Sequence, residues 1–157
     1  MECFHHEMKV LALLCLSLLL PACNALPRDP EGTEQAIRDQ KRIRVGLVPG
    51  PQGLGRAASA RLLGQLESRM QARAHIVSGA TEPLLRALDQ GDIDIVLSPF
   101  DAKTPWATLV ALTPPIAASG EGEKRVEIRA AMRNGENRWI MTVETIARAA
   151  ADPGASS

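Results

Sequence analysis

The residues that could carry out chemistry on a substrate are few in this chain of 157 residues. It has three cysteines, Cys3, Cys15 and Cys23, and three histidines, of which only His75 lies beyond Cys23. A single imidazole without cysteine partners does not make a metal site. No serine lies in a nucleophile elbow that could use His75 as its base. The sequence therefore predicts no enzyme, no bound metal and no cofactor.

Two acidic residues, Asp92 and Asp94, are close enough in sequence to raise the question of a carboxylate pair. They lie just after Gly91, at the start of a predicted strand. We interpret them as solvated turn charges rather than as an acid and base pair.

A different set of residues is suited to holding a small polar ligand. These residues follow two predicted strands, 42–48 and 93–97, and ligands of open parallel sheets bind at the carboxyl ends of the strands. Backbone groups, two hydroxyls and one carboxylate there can bind polar groups, and two aromatic rings can cover an apolar part. The candidates are Gly50, Ser98, Phe100, Asp101, Thr104 and Trp106.

Hydrophobic periodicity predicts the elements that position these candidates. Strand 42–48 leads through a glycine-containing loop into a helix that ends at Ala74, and residues 75–78 form the second strand. Thr81 caps the next helix, Gly91 ends it, and 93–97 is the third strand. The order β-α-β-α-β favours parallel strands with right-handed crossovers.

The remainder of the chain is predicted to complete one α/β lobe of three layers. Residues 98–123 are irregular, and 126–132 alternate in the manner of an edge strand. A last helix follows, with Trp139 on its buried face. We place this single domain, with its mainly parallel sheet, at residues 35–150 and a polar tail at 151–157.

The charge and the aromatic content exclude a nucleic-acid surface as the main interpretation. Lys and Arg total 18, as do Asp and Glu, so no basic excess attracts phosphate. Aromatic residues make up 3% of the chain and there is no tyrosine, which leaves few rings for stacking on bases.

Residues 1–22 have the layout of a secretory signal peptide. Lys9 precedes an apolar run of 11 residues, Val10–Leu20, and small residues follow it. A helix needs about 20 residues to cross a bilayer, so a permanent span is not predicted. Residues 1–7 contain two acids where a signal needs positive charge, which favours translation from Met8.

The segment Leu20-Pro21-Ala22-Cys23 resembles the lipobox of bacterial lipoproteins, although Pro21 departs from the usual small or branched residue. The resemblance implies cleavage before Cys23 and attachment of diacylglycerol to its sulfur. Residues 23–34 would then be the lipidated cysteine and a tether. Asn24 in the next position implies the outer membrane rather than the inner one. Ordinary signal cleavage, which leaves Cys23 as a free thiol, is the alternative.

The predicted domain resembles the first lobe of the extracellular solute-binding proteins of amino-acid ABC transporters. The resemblance is carried by the order of motifs that are individually unspecific: Ile43–Gly46, Leu84–Val96, Thr104-Pro105 with Leu112–Pro115, and Arg133–Asn137. It covers roughly residues 35–150 and implies a fold like that of the periplasmic binding proteins.

Two departures from that family bear on function. The family inserts a second lobe where this chain has only residues 116–125, and domains rarely have fewer than about 50 residues. The family also has an arginine two residues beyond the Thr-Pro, which binds the ligand carboxylate, whereas this chain has Ala107. The resemblance therefore implies a single lobe without the usual carboxylate fork.

Two functions remain open. The first is a lipid-anchored periplasmic protein that presents a small solute, or a surface, to an inner-membrane transporter or sensor, with a homodimer as one way of supplying the missing lobe. The second is an envelope adaptor that has lost its ligand and uses the face around residues 104–118. A single lobe offers only half a pocket, so the six candidates are either a site or ordinary loop residues.

Overall fold

The computed structural model describes residues 29–152. The predicted signal peptide, the predicted lipidation site Cys23, residues 24–28 of the predicted tether and the end of the tail lie outside the described residues. No helix within the described part of the chain is long and apolar enough to cross a membrane. The helices are α1 (Thr33–Gln40), α2 (Arg56–Met70), α3 (Thr81–Asp89) and α4 (Asn137–Ala150), and the strands are β1 (Arg42–Leu47), β2 (Arg73–Ser78), β3 (Ile95–Asp101), β4 (Val110–Leu112), β5 (Ala117–Ser119) and β6 (Val126–Arg133).

The strands form one mixed sheet in the order β2-β1-β3-β6-β4, with β5 also paired to β6. Strands β2, β1 and β3 are parallel, with Val45 opposite Ile76 on one side and Ile95 on the other. Strand β6 is antiparallel to β3, β4 and β5, so it alone runs against the other five. The predicted β-α-β-α-β order and the three-layer α/β lobe are confirmed.

The prediction that β6 is an edge strand was wrong. It lies between β3 and the two short strands β4 and β5. Its alternating charges are neutralised inside the sheet layer, because Glu127 is 5% exposed and forms ion pairs with Arg125 and Arg129. The pairing of β6 with β4 and β5 could not be predicted from the sequence, because each of these two strands has only three residues.

Two apolar layers hold the lobe together. On one face of the sheet, α1, α2 and α4 pack on alternate residues of β1 and β3, including Ile43, Val45 and Ile95. On the other face, α3 packs its leucines on Val96, Phe100 and Ala131. The period of two along each strand assigns its residues to these two cores.

Two boundaries differ from those that the sequence predicts. Helix α2 ends at Met70 rather than Ala74, because Gln71 adopts a left-handed backbone with φ of 54° and Arg73 then donates its N–H to the Lys41 carbonyl. The fold also begins before residue 35, since α1 starts at Thr33 and Glu34 is 8% exposed. Residues 29–34 are therefore part of the packed lobe rather than of a free tether.

A short hairpin joins the two strands between which the resemblance to solute-binding proteins implies an inserted second lobe. Strand β5 leads through the turn at Gly120–Lys124 directly into β6. Strands β4 and β5 pair with opposite halves of β6, and Thr113 bridges the gap between them: its N–H donates to Ala130, and its hydroxyl accepts from the Ala130 N–H at 3.1 Å. The described residues thus form one lobe, with the two short strands β4 and β5 at this side of its sheet.

Two carboxylates form the hydrogen bonds that hold the first described residues against the amino end of α4. Asp29 Oδ1 accepts the backbone N–H groups of Arg138 and Trp139 at 2.7 and 3.1 Å, which caps α4. Glu136, 1% exposed, accepts the N–H groups of Glu31 and Thr33 at 2.8 and 2.9 Å. The first described residues are therefore held at the amino end of α4.

The hydrogen bonds that Glu136 accepts predict that the free energy of unfolding falls in acid. Burial by itself would raise the pKa of Glu136, but hydrogen bonds from Thr33 and Glu31, together with the charge of Arg133, lower it below its ordinary 4.5. A lowered pKa in the folded state stabilises the fold above pH 4.5, and this contribution is lost as pH falls through the folded pKa.

We expect Glu136→Gln to lower the free energy of unfolding at pH 7 by about 1–3 kcal/mol, because one buried N–H loses its charged acceptor. The variant should also lose less stability than the parent between pH 5 and pH 3, measured by urea unfolding at each pH. Glu123→Gln is the control, because Glu123 is exposed. Equal pH profiles for the parent and Glu136→Gln would contradict the assignment.

Candidate functional site

The loop at the carboxyl end of β1 lies tightly against β6. A β-carbon on Gly50 would overlap the backbone carbonyl of Leu54 and lie 2.9 Å from Ile128 Cδ1. Gly55 has φ of +73°, and a β-carbon there would lie 2.5 Å from Ile128 Cγ1. Only glycine fits both positions, so the loop is built to approach the sheet closely.

A groove of about 350 Å³ opens beside this loop, between α2 and the ends of β1 and β2. Apolar side chains form most of it, and its polar side chains are those of Arg56 and Ser59. The lining residues are Leu47, Val48, Pro49, Gly50, Gly53, Leu54, Arg56, Ser59, Ala60, Leu63, Ile76 and Ile128.

Arg56 gives this groove its charge. It is exposed at the first position of α2, and its guanidinium group lies 3.7 Å from the position that a β-carbon on Gly53 would take. Within residues 29–152 no carboxylate forms an ion pair with it. The groove therefore combines an apolar floor with one cation that is available to a ligand anion.

Two of the predicted site residues lie inside the lobe instead of lining a groove. Ser98 is fully buried; its hydroxyl lies 2.9 Å from the Thr81 hydroxyl and donates to the Pro99 carbonyl at 3.2 Å. Thr81 is thereby tied to β3, and the residue before it, Ala80, occupies the cap position of α3. Phe100 is 4% exposed and packs in the core beneath α3.

Three other predicted site residues lie at the end of β3 or beyond it. Asp101 is exposed as the last residue of that strand. Thr104 caps a short 3₁₀ turn, Pro105–Thr108, by accepting the Trp106 N–H at 3.4 Å. Trp106 packs beside α3 and lines a separate groove of about 270 Å³, with Glu82, Leu85, Arg86, Asp89, Leu109 and Val110.

The structure thus separates the six candidates instead of gathering them in one cavity. Gly50 lines the groove at β1, Trp106 lines the groove at α3, and Ser98 and Phe100 lie buried in the lobe. Sequence reasoning did not select Arg56, because an arginine at the start of a surface helix resembles any solvated charge. The sequence feature that pointed towards Arg56 was the pair of glycines, Gly50 and Gly55, on either side of the turn that precedes it.

Comparison with known proteins identifies the fold. No protein-family model and no curated protein matches the sequence. Among solved structures, the arginine-bound domain 1 of the arginine-binding protein TmArgBP from T. maritima superposes with a TM-score of 0.60 at 18% identity, over 73% of this chain and 97% of that one.

Two further structures give the same result. An amino acid ABC transporter substrate-binding protein from Streptococcus pneumoniae, bound to L-arginine, has a TM-score of 0.59 at 9% identity, over 74% of this chain and 91% of that one. The ancestral amino acid-binding protein AncCDT-1, described as a precursor of cyclohexadienyl dehydratase, has a TM-score of 0.61 at 11% identity, over 74% of this chain and 92% of that one. The resemblance predicted from the motif order is confirmed as a resemblance of fold: this chain has the fold of one solute-binding lobe.

Proposed function

We propose that this chain is a lipid-anchored protein of the bacterial cell envelope that binds a small solute on its single lobe and presents it to a transporter or sensor in the inner membrane. The observation that carries the proposal is the groove at the carboxyl end of β1, with its apolar floor and its one unpaired guanidinium. Ligands of open α/β folds bind at the carboxyl ends of the strands, where this groove lies.

The arginine-bound form of domain 1 of TmArgBP supports the proposal that a single lobe binds a solute. Domain 1 of the T. maritima arginine-binding protein was solved with arginine bound, so a lobe of this fold holds a ligand without its second half. This supports solute binding by the present chain, in which the β5–β6 hairpin takes the place of a second lobe.

The groove favours a small carboxylic acid with an apolar body. Its apolar side chains, Leu54, Leu63 and Ile128 among them, would bury the body, and each Å² of apolar surface removed from water contributes about 25 cal/mol. Arg56 would bind the carboxylate from the loop after β1, since Ala107 supplies no cation from the loop after β3.

The lipid anchor would direct this groove away from the membrane. Cys23 precedes Asp29 by six residues, which span at most about 20 Å. Asp29 accepts the backbone N–H of Trp139 at the amino end of α4, and the Trp139 indole N–H donates to the backbone carbonyl of Asp94, which precedes β3. Asp29 thus lies on the side of the amino ends of β1 and β3, whereas the groove lies at their carboxyl ends. An anchor attached before Asp29 would therefore leave the groove facing a membrane partner on the opposite side.

The envelope adaptor is the second candidate, and the exposed Leu109 favours it. This side chain is 63% exposed beside Trp106, within the face of residues 104–118 that was predicted to contact a partner. Leu109 and the half-buried Trp106 would supply the apolar part of such a contact surface.

The test is thermal unfolding of residues 24–157, which contain the whole described fold, in the presence of small aliphatic and aromatic carboxylic acids, amino acids, sugars and metal ions. A ligand at 100 times its dissociation constant adds about 2.7 kcal/mol, which raises Tm by several degrees. We expect one or more of the carboxylic acids to do so. For Arg56→Gln, the same shift in Tm should require at least ten times more ligand, because the charge-assisted pair with the carboxylate is lost.

Arg42→Gln is the matched control, because Arg42 is also exposed and lies at the opposite end of β1. A shift that Arg56→Gln leaves unchanged would place the solute elsewhere on the lobe. A cooperative transition that no compound moves would contradict solute binding and favour the adaptor, whose partner would then be sought by cross-linking from Leu109.

A further inference from the structure

Strand β2 is an edge of the sheet, and within the described residues it pairs with no strand other than β1. Five of its six residues are exposed, and two of these are large and apolar: Ile76 is 51% exposed and Val77 is 58% exposed. Soluble proteins usually protect an edge strand with lysine, proline, a bulge or a covering element. The sequence of β2, RAHIVS, contains neither lysine nor proline.

The free backbone groups of this edge can be assigned from its pairing with β1. Arg73 and Gly79 donate their N–H groups to the carbonyls of Lys41 and Leu47. Backbone groups alternate in direction along a strand, so the N–H and C=O groups of Ala74, Ile76 and Ser78 point away from β1. The carboxylate of Glu67 already accepts the Ala74 N–H at 2.8 Å. Two residues, Ile76 and Ser78, therefore offer both an N–H and a C=O at the edge.

We propose that the β2 edge binds a second copy of this chain, by antiparallel pairing of the two β2 strands about a twofold axis at Val77. In this register Ile76 lies opposite the partner's Ser78, and Ser78 opposite the partner's Ile76. Each of these pairs exchanges two hydrogen bonds, so the N–H and C=O groups of Ile76 and Ser78 on each strand are all satisfied, and the bond from the Ala74 N–H to Glu67 is left intact. The two sheets become one continuous sheet.

The side chains and charges of the edge suit a second copy. The two Val77 side chains lie opposite each other in a pair without hydrogen bonds, the type in which side chains approach most closely. The only charged residue of β2, Arg73, lies at the far end of each strand from the axis, so like charges do not meet. The whole chain has a formal net charge of zero, so two copies do not repel each other at long range.

Cysteine cross-linking of residues 24–157 tests the register, because this part of the chain contains no cysteine of its own. Opposed Cα atoms at the axis are about 4.5 Å apart, which is within disulfide range. Val77→Cys is therefore expected to form a disulfide-linked dimer under mild oxidation. Ile76→Cys is the matched control: it is similarly exposed, but the two copies of residue 76 are offset by two positions and lie roughly 8 Å apart, beyond disulfide range.

Sedimentation equilibrium tests the interface without cross-linking. The parent is expected to have twice the mass of the monomer, and Val77→Lys to be monomeric, because two ammonium groups would face each other. Met141→Lys, at an equally exposed residue of α4, should remain dimeric, and circular dichroism should show that both variants are folded. A monomeric parent, a dimer that Val77→Lys leaves intact, or cross-linking stronger at residue 76 than at 77 would each overturn the proposal.

Discussion

Replacing Asp94 with alanine is expected to lower the free energy of unfolding by about 3–5 kcal/mol, because it leaves a partly buried guanidinium group without its counterion. The Asp94 carboxylate is 4% exposed, accepts the Arg44 backbone N–H at 2.7 Å and the Arg44 Nε at 3.1 Å, and forms an ion pair with the same guanidinium. The hydrogen bond to Asp94 raises the pKa of Arg44. The substitution therefore breaks three contacts between β1 and the start of β3.

Thermal unfolding of residues 24–157 checks this prediction, with a fall in Tm on the order of 15 °C expected. Asp92→Ala is the control, because Asp92 is exposed and two residues away, and it should change the free energy of unfolding by no more than about 0.5 kcal/mol. Equal effects of the two substitutions would mean that Asp94 is a solvated turn charge after all.

Replacing Cys23 with serine is expected to move the protein from the membrane fraction to the soluble fraction of the envelope, since the proposed attachment of acyl chains requires the sulfur. Each buried CH₂ group contributes about 0.8 kcal/mol, so loss of the chains removes far more binding energy than any surface contact of the lobe supplies. Intact mass measurement of the parent should show the added lipid, and that of Cys23→Ser should lack it.

Cys15→Ser serves as the control for this experiment, because Cys15 lies in the apolar part of the predicted signal peptide. It should leave both the mass of the mature chain and its membrane association unchanged. A parent protein that is soluble and carries no added mass would show ordinary signal cleavage with Cys23 as a free thiol.

Much of the fold could be predicted because it depends on local patterns. Leucines at helical spacing and short apolar runs ending at glycine or proline place β1, α3 and β3 within a few residues of their observed bounds. The position of β6 in the sheet could not be predicted, because it depends on pairing with two strands of three residues each, too short to give a pattern. Helix α1 was not predicted for a similar reason. It depends on contacts with residues far along the chain, such as the hydrogen bond from the Thr142 hydroxyl in α4 to Glu34.

The candidate site was predictable in place but not in composition. The rule that ligands bind at the carboxyl ends of parallel strands selected the loop with Gly50, and that loop lines the groove of about 350 Å³. It also selected Ser98, whose hydroxyl is instead bonded inside the lobe to Thr81. Whether a side chain at a strand end faces a groove or a core depends on which face of the sheet it occupies, and the sequence does not state this.

The sequence by itself determined the order of strands and helices from β1 to β3, because hydrophobic periodicity is a local property. Tertiary structure alone decided that Asp94 is a buried partner of Arg44, that Arg56 stands over an apolar groove, and that β2 is left open at Val77. These depend on residues far apart in the chain being brought together when the sheet forms. Burial and charge pairing are properties of that assembly, so no local pattern carries them.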